Sequence, residues 1–316
     1  MSMLKTYLIS VVLGLLLSAG TSSCAHKDIE CPAGASPIEI LFEWDNARDA
    51  DVAGMTLFFY PTDGKGHIWR FDIAGRDGGP VDIPPGTYRM VACNNDVAGM
   101  TLEDTGSASA IRAVAARQVA DSVYAGTAML YGAVVGRLEV TPCAVRYTTD
   151  SGRIKECGKR LVRCRPDSLA TCYTIAVRKS TGLESVRGVS AVLAPVSSGV
   201  FLESGINAGA IAALYMPIAA DRQTNSLTGS TCAPGRPAED ISAYRVSARI
   251  EKADGKIYER RIELEQGNVN IMSPHNVMII IDDFNIPGDI SSGDVGGIDA
   301  AVDGWSVVEI ELGSGI

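Results

Sequence analysis

This sequence is short of positive charge, of histidine and of long apolar runs, and each shortage removes a class of protein. Only 28 Lys and Arg stand against 37 acidic residues, for a formal charge of −9, so a nucleic-acid backbone would be repelled over most of the surface. Three histidines and the lack of any C-x-x-C pair argue against a zinc site of the usual spacing. Beyond Leu17 no stretch of about eighteen uninterrupted apolar residues offers a membrane helix. Catalytic signatures are missing as well: there is no G-x-S-x-G elbow, no H-E-x-x-H, no Walker loop and no dinucleotide-binding glycine pattern. Adjacent acids such as Asp282 and Asp283 would point to opposite faces of a strand, where they cannot share one substrate bond. Neither an enzyme nor a cofactor is expected.

What is present describes an exported, globular chain. Its 316 residues suit about two domains, and 46% hydrophobic content with 21% charge is too apolar for disorder. Lys5 and the apolar run from Tyr7 to Leu17 have the length of a signal-peptide core. The run breaks into small residues and then Cys24, which resembles the lipobox of bacterial lipoproteins, although Thr21 stands where a lipobox prefers Leu. On that resemblance residues 1–23 are removed and Cys24 carries the lipid. The other reading is an ordinary secretory signal cleaved near Ala19, leaving Cys24 a plain thiol. Several acyl chains would hold the protein on a membrane for practical purposes permanently, so the folded part needs no span of its own. Lys27, Asp28 and Glu30 resemble the short charged signal that sends Bacteroidota lipoproteins to the outer face of the outer membrane, and a solvated tether would look the same.

Setting Cys24 aside leaves seven cysteines, an odd number, so at least one is free or intermolecular. Cys157 and Cys164 flank a short basic loop and could form a disulfide in an oxidising compartment, or serve as buried small hydrophobes.

The periodicity of the remainder is that of strands. Ile38, Ile40, Phe42 and Trp44 alternate with polar residues, as do Trp69, Phe71 and Ile73, and later Tyr88, Met90 and Ala92. Asp63-Gly64 reads as a hairpin turn, and Pro85-Gly86 as a turn in which Gly86 supplies the second angle. Residues 107–123 are alanine-rich, with apolar spacing that fits a helix or, equally, a strand with a long loop. Arg153, Lys155, Lys159, Arg160, Arg163 and Arg165 form a basic cluster, read as a solvated linker or as an anionic-glycan-binding or protease-sensitive loop. Thr171, Tyr173, Ile175 and Val177 restart the alternation, and Asp254-Gly255 joins two alternating runs as the strongest hairpin in the chain. Residues 276–286 and 305–312 read as closing strands. The Gly- and Asp-rich interval 282–303 lacks the fixed alternation of a calcium loop and reads as a surface loop.

The stretches "CAHKDIEC", "FEWDNARDADVAGMTLFFYP", "IPPGTYRMVACNND" and "VDGWSVVEIEL" resemble a family of Bacteroidales surface lipoproteins without an established activity. The layout of lipid cysteine, acidic tether with Cys31 and Pro32, and aromatic first strand is similar to that of fimbrillin-like fimbrial anchor subunits. The resemblance implies an all-β fold of two tandem transthyretin-like β-sandwich domains, at 37–166 and 167–316, after a signal peptide (1–23) and a lipidated tether (24–36). It also implies an outer-membrane, cell-surface location, fimbrial subunits as partners, and assembly by β-strand addition. A surface lipoprotein that binds glycan or host protein is the alternative.

Overall fold

The computed structural model describes residues 36–116, 118–141, 160–265, 267–287 and 306–308. The first half contributes β1 (Ser36–Phe42), β2 (Gly54–Pro61), β3 (Trp69–Ala74), β4 (Gly78–Ile83), β5 (Gly86–Asn94), β6 (Met100–Glu103), β7 (Arg112–Ala115), β8 (Gln118–Ala120), β9 (Val123–Ala125), β10 (Tyr131–Val140), β11 (Arg160–Cys164) and β12 (Asp167–Ser168). The second contributes β13 (Ala170–Arg178), β14 (Val186–Phe201), β15 (Asn207–Asp221), β16 (Ser226–Pro234), β17 (Arg245–Lys252), β18 (Ile257–Ile262), β19 (Val269–Ser273), β20 (Asn276–Asp282) and β21 (Ser306–Val308). Two short 3-10 turns are the only helical elements among the described residues, so the chain is almost all β.

The strands form three sheets. A three-stranded sheet, β11-β1-β4, lies against a five-stranded one, β12-β10-β5-β2-β3. Between them Ile38, Ile40 and Phe42 of β1 meet Met55, Leu57 and Phe59 of β2 and Tyr88, Met90 and Ala92 of β5 in one apolar cluster. Each large side chain removed from water here contributes about 1.5–3 kcal/mol. The alternation in β1, β3 and β5 therefore marks the buried face. β2 does not alternate because both its faces are covered: Phe58 and Tyr60, on the other side, pack with Val91 and Cys93 against Ile111, Ala113, Val200 and Leu202.

The third sheet has 13 strands, with the path β19-β20-β13-β16-β15-β14-β17-β18-β21 and β6 to β9 joined beside it. β15 pairs with β14 along most of its length and with β16 only at Ala219–Asp221. Beyond that corner, β13 and β20 supply Tyr173, Ile175, Val277 and Ile279 to the same core as Leu193 of β14 and Val246 and Ile250 of β17.

First-half residues enter this sheet. β7 pairs with the end of β14, and β9 runs parallel to β15. The covered back of β2 and β5 is thus roofed by β7 and the β14–β15 turn, where Arg89 meets Glu203 at 2.5 Å and the Leu202 amide donates to the Ile111 carbonyl at 3.0 Å. This placement settles residues 107–116 and 118–123 as short strands and loop. Ladder bonds to β14 and β15 outweigh the helix preference of the alanines.

Both hairpin turns form, with Gly64 at φ 67° and Gly255 at φ 84°. Gly86 differs from expectation: it opens β5 outside the left-handed region, and the Tyr88 ring lies 3.1 Å from where its Cβ would stand. The basic run also differs. Instead of a linker throughout, residues 160–164 form β11, parallel to β1, with Val162 and Cys164 facing inward.

Candidate assembly surfaces

Cys24, Lys27, Asp28 and Glu30, with Cys31 and Pro32, lie outside the described residues, as do Arg153, Lys155 and Lys159. Cys157 lies outside them too, while Cys164 is a free, buried thiol that burial pushes up to about 12. Arg163 and Arg165 both donate to the Glu43 carboxylate, holding its pKa below the ordinary value and fastening β11 to the end of β1.

Sequence reasoning missed a disulfide among the described residues, Cys172–Cys232. These residues face each other across β13 and β16, with Cα atoms 4.0 Å apart. Each sits in a strand-like run, but only the β13–β16 register brings the two together. The Cys232 carbonyl also receives the Thr127 amide and hydroxyl, so first-half residues attach at the same place.

Asp282 and Asp283 go to separate partners, though not by strand alternation: β20 ends at Asp282, and Asp283 bends away at φ 57°. Arg178 holds Asp282 by two bonds of 2.8 and 2.7 Å, lowering the carboxyl's pKa and raising its own, and Lys179 lies 3.6 Å from Asp283. The part of the Gly- and Asp-rich interval beyond Pro287 lies outside the described residues. Among the described residues no group of three His, Cys, Asp or Glu is placed to hold a metal ion. No helix among them is long and apolar enough to cross a membrane.

Two features could receive a partner. The first is the rim of the large sheet. At one end β21 pairs with β18 at Ile257–Glu259. Beside it the fully buried Lys252 donates to the Pro287 carbonyl, its ammonium 5.2 Å from the Tyr258 ring. At the other end β19 is, among the described strands, an edge strand with no charged residue, and Ile271 and Met272 on it are exposed. Edge strands present unmatched backbone donors and acceptors, and charge or proline normally guards them. β3 carries Arg70 and Asp72, β4 carries Pro80 and Asp82, and β11 carries Arg160 and Arg163. β19 lacks such a guard.

The second feature is a cleft of about 120 Å³ where the back of the five-stranded sheet meets β6 and β7. Thr56, Arg70, Asn94 and Asn95 give it a polar side, and Val97, Met100, Leu102 and Leu130 an apolar one. Asn94 is fixed by bonds to Asp96, to the Met129 carbonyl and from the Tyr131 amide.

Residues 23–216 match DUF5119, a domain of unknown function. Over 92 residues the chain is 29% identical to a protein named as a fimbrium anchoring subunit, Fim4B, of Bacteroides ovatus; that stretch is 29% of this chain and 27% of the relative, so the match spans about a quarter of the relative's length. The fold is similar to that of a protein named as an adhesin from Bacteroides ovatus, with a TM-score of 0.61 and 18% identity over 85% of this chain and 99% of that one. A Bacteroides thetaiotaomicron structure described as a polysaccharide binding protein (DUF1812) aligns with a TM-score of 0.50 and 11% identity, over 79% of this chain and 91% of that one. These relatives are fimbrial, adhesive or binding proteins by name.

Proposed function

The chain belongs to the DUF5119 family, and from that footing we propose that it is a cell-surface fimbrial anchor or accessory subunit, held in the outer membrane by lipid on Cys24 and joined to its neighbour by β-strand addition. The observation that carries this is the sequence match to a fimbrium anchoring subunit, supported by an adhesin-like fold along most of the chain. In this reading residues 1–23 are the export signal, 24–36 the tether with Lys27, Asp28 and Glu30 as its surface-sorting signal, and 37–166 and 167–316 two transthyretin-like sandwiches. Cys157, beyond the described residues, is left to pair elsewhere or remain a thiol. The unguarded edge of β19 supports the mechanism, because main-chain bonds to an incoming strand would satisfy its outer donors and acceptors.

Metabolic labelling with a radioactive fatty acid tests the anchor: label on the wild type and none on Cys24→Ala is expected. Copurification with sheared filaments tests the assembly role. A soluble, unlabelled wild-type protein would overturn the first, and its absence from filaments the second.

The cleft beside Arg70 favours a second reading, a surface lipoprotein that binds glycan. A glycan-array signal that Arg70→Ala abolishes would support it.

A further inference from the structure

The outer face of the large sheet changes character at the boundary between β14 and β17. On β17 and β18 it is an ordinary solvated face with cross-strand ion pairs: Arg249 with Glu259 at 3.7 Å and Arg245 with Glu263 at 3.7 Å. Past Arg187, which pairs with Glu251 at 3.2 Å, and short of Asp221, the face of β14 and β15 carries no charge. From Gly188 to Ala220 the one charged residue is Glu203, and that lies in the turn, against Arg89.

One side of this hairpin is accounted for. Ala212, Leu214 and Met216 of β15 and Ala191 and Leu193 of β14 lie in the core. The opposite row, Ile211, Ala213, Tyr215, Pro217 and Ala219, points away from it, and Ile211 is 79% exposed. Ser190 and Val192 flank the row on β14, level with Pro217 and Tyr215. Val123 and Ala125 flank it on β9, level with Ala213 and Tyr215. In a chain that is 21% charged, a three-strand face without one ionised group is unlike a face kept for water.

Its size says what kind of contact it makes. Strands about 4.8 Å apart, two with rows about 26 Å long and β9 about 10 Å long, give a footprint of roughly 300 Å². A standard interface buries about 800 Å² on each partner, so this face falls short of holding two free copies together. It suits a partner already fastened by another bond. We propose that the outer face of β9, β15 and β14 is an auxiliary docking face for the filament subunit that strand addition links to this chain, packing sheet against sheet on a similarly uncharged surface. The inference rests on the assembly role proposed above, and it adds a contact that strand addition does not itself supply.

Site-specific photo-crosslinking in intact cells tests it, with p-benzoylphenylalanine at position 211 of the full-length chain and products identified by mass spectrometry. The expected product is a filament subunit. Ile211→Lys with Tyr215→Lys should lower the protein recovered with sheared filaments by about tenfold, the cost of an uncompensated charge in a contact. Ser247→Lys, on the ion-paired part of the face, should leave recovery unchanged. Wild-type and variant proteins should both sediment as monomers and melt alike. A crosslink to a second copy of the chain, or full recovery of the double variant with no crosslink, overturns the docking face while leaving the assembly role standing. Loss of the wild-type protein itself from filaments overturns the assembly role instead.

Discussion

The two halves of the molecule meet the same packing problem with different materials. The first-half core is aromatic: Trp44 meets Tyr131 edge-on at 5.6 Å, and Phe59 meets Phe71 at 5.7 Å and Tyr88 at 6.3 Å. The second is mainly aliphatic, with the Tyr173–Tyr244 pair at 6.0 Å. It adds ties of another kind, namely the Cys172–Cys232 bond, the Lys252 ammonium on the Pro287 carbonyl and the Arg178–Asp282 pair. Rings set their neighbours by shape and edge-to-face attraction. Aliphatic layers fill space well but specify register less, and covalent and polar ties then fix which residues face each other.

The sharpest way to break this contrast is Phe59→Ala, which empties the centre of the aromatic core and should cost about 3–5 kcal/mol by denaturant unfolding. A loss below about 1 kcal/mol would show that the rings are not the organising element. In the second half the double substitution Cys172→Ala with Cys232→Ala should cost about 2–4 kcal/mol, and an unchanged melt would remove the disulfide from the comparison. Lys252→Met keeps the volume but deletes the donor to Pro287, and a loss of about 1–3 kcal/mol is expected. The smallest effect belongs to Arg178→Gln. Arg178 lowers the folded-state pKa of Asp282, so the pair's contribution is full above about pH 4 and fades as pH falls through the lowered value. Melting curves of wild type and Arg178→Gln should therefore differ at neutral pH and converge in acid.

Much of the fold could be read from single strands. Ile38 to Trp44, Trp69 to Ile73 and Thr171 to Val177 alternate because one face of each is buried, and that is a local property. Asp254-Gly255 gave its hairpin away because the turn needs a residue tolerant of positive φ. What stayed hidden depends on distant partners. β7 looks helical until β14 is placed beside it, and β11 looks like solvated linker until it pairs with β1 and its alternate residues Val162 and Cys164 join the core between the sheets. The disulfide needs a register between strands about sixty residues apart. The uncharged outer row of β15 went unread in the sequence, because only the sheet shows which half of those residues the core already uses.

β1 sits between β11, parallel to it, and β4, antiparallel. Tension applied through the residues ahead of Ser36 would run along the strand axis, so the bonds on both sides would be sheared together rather than peeled one after another. Under the proposed lipid tether that arrangement would lend mechanical endurance, because the first strand to feel the load is the one held along both edges.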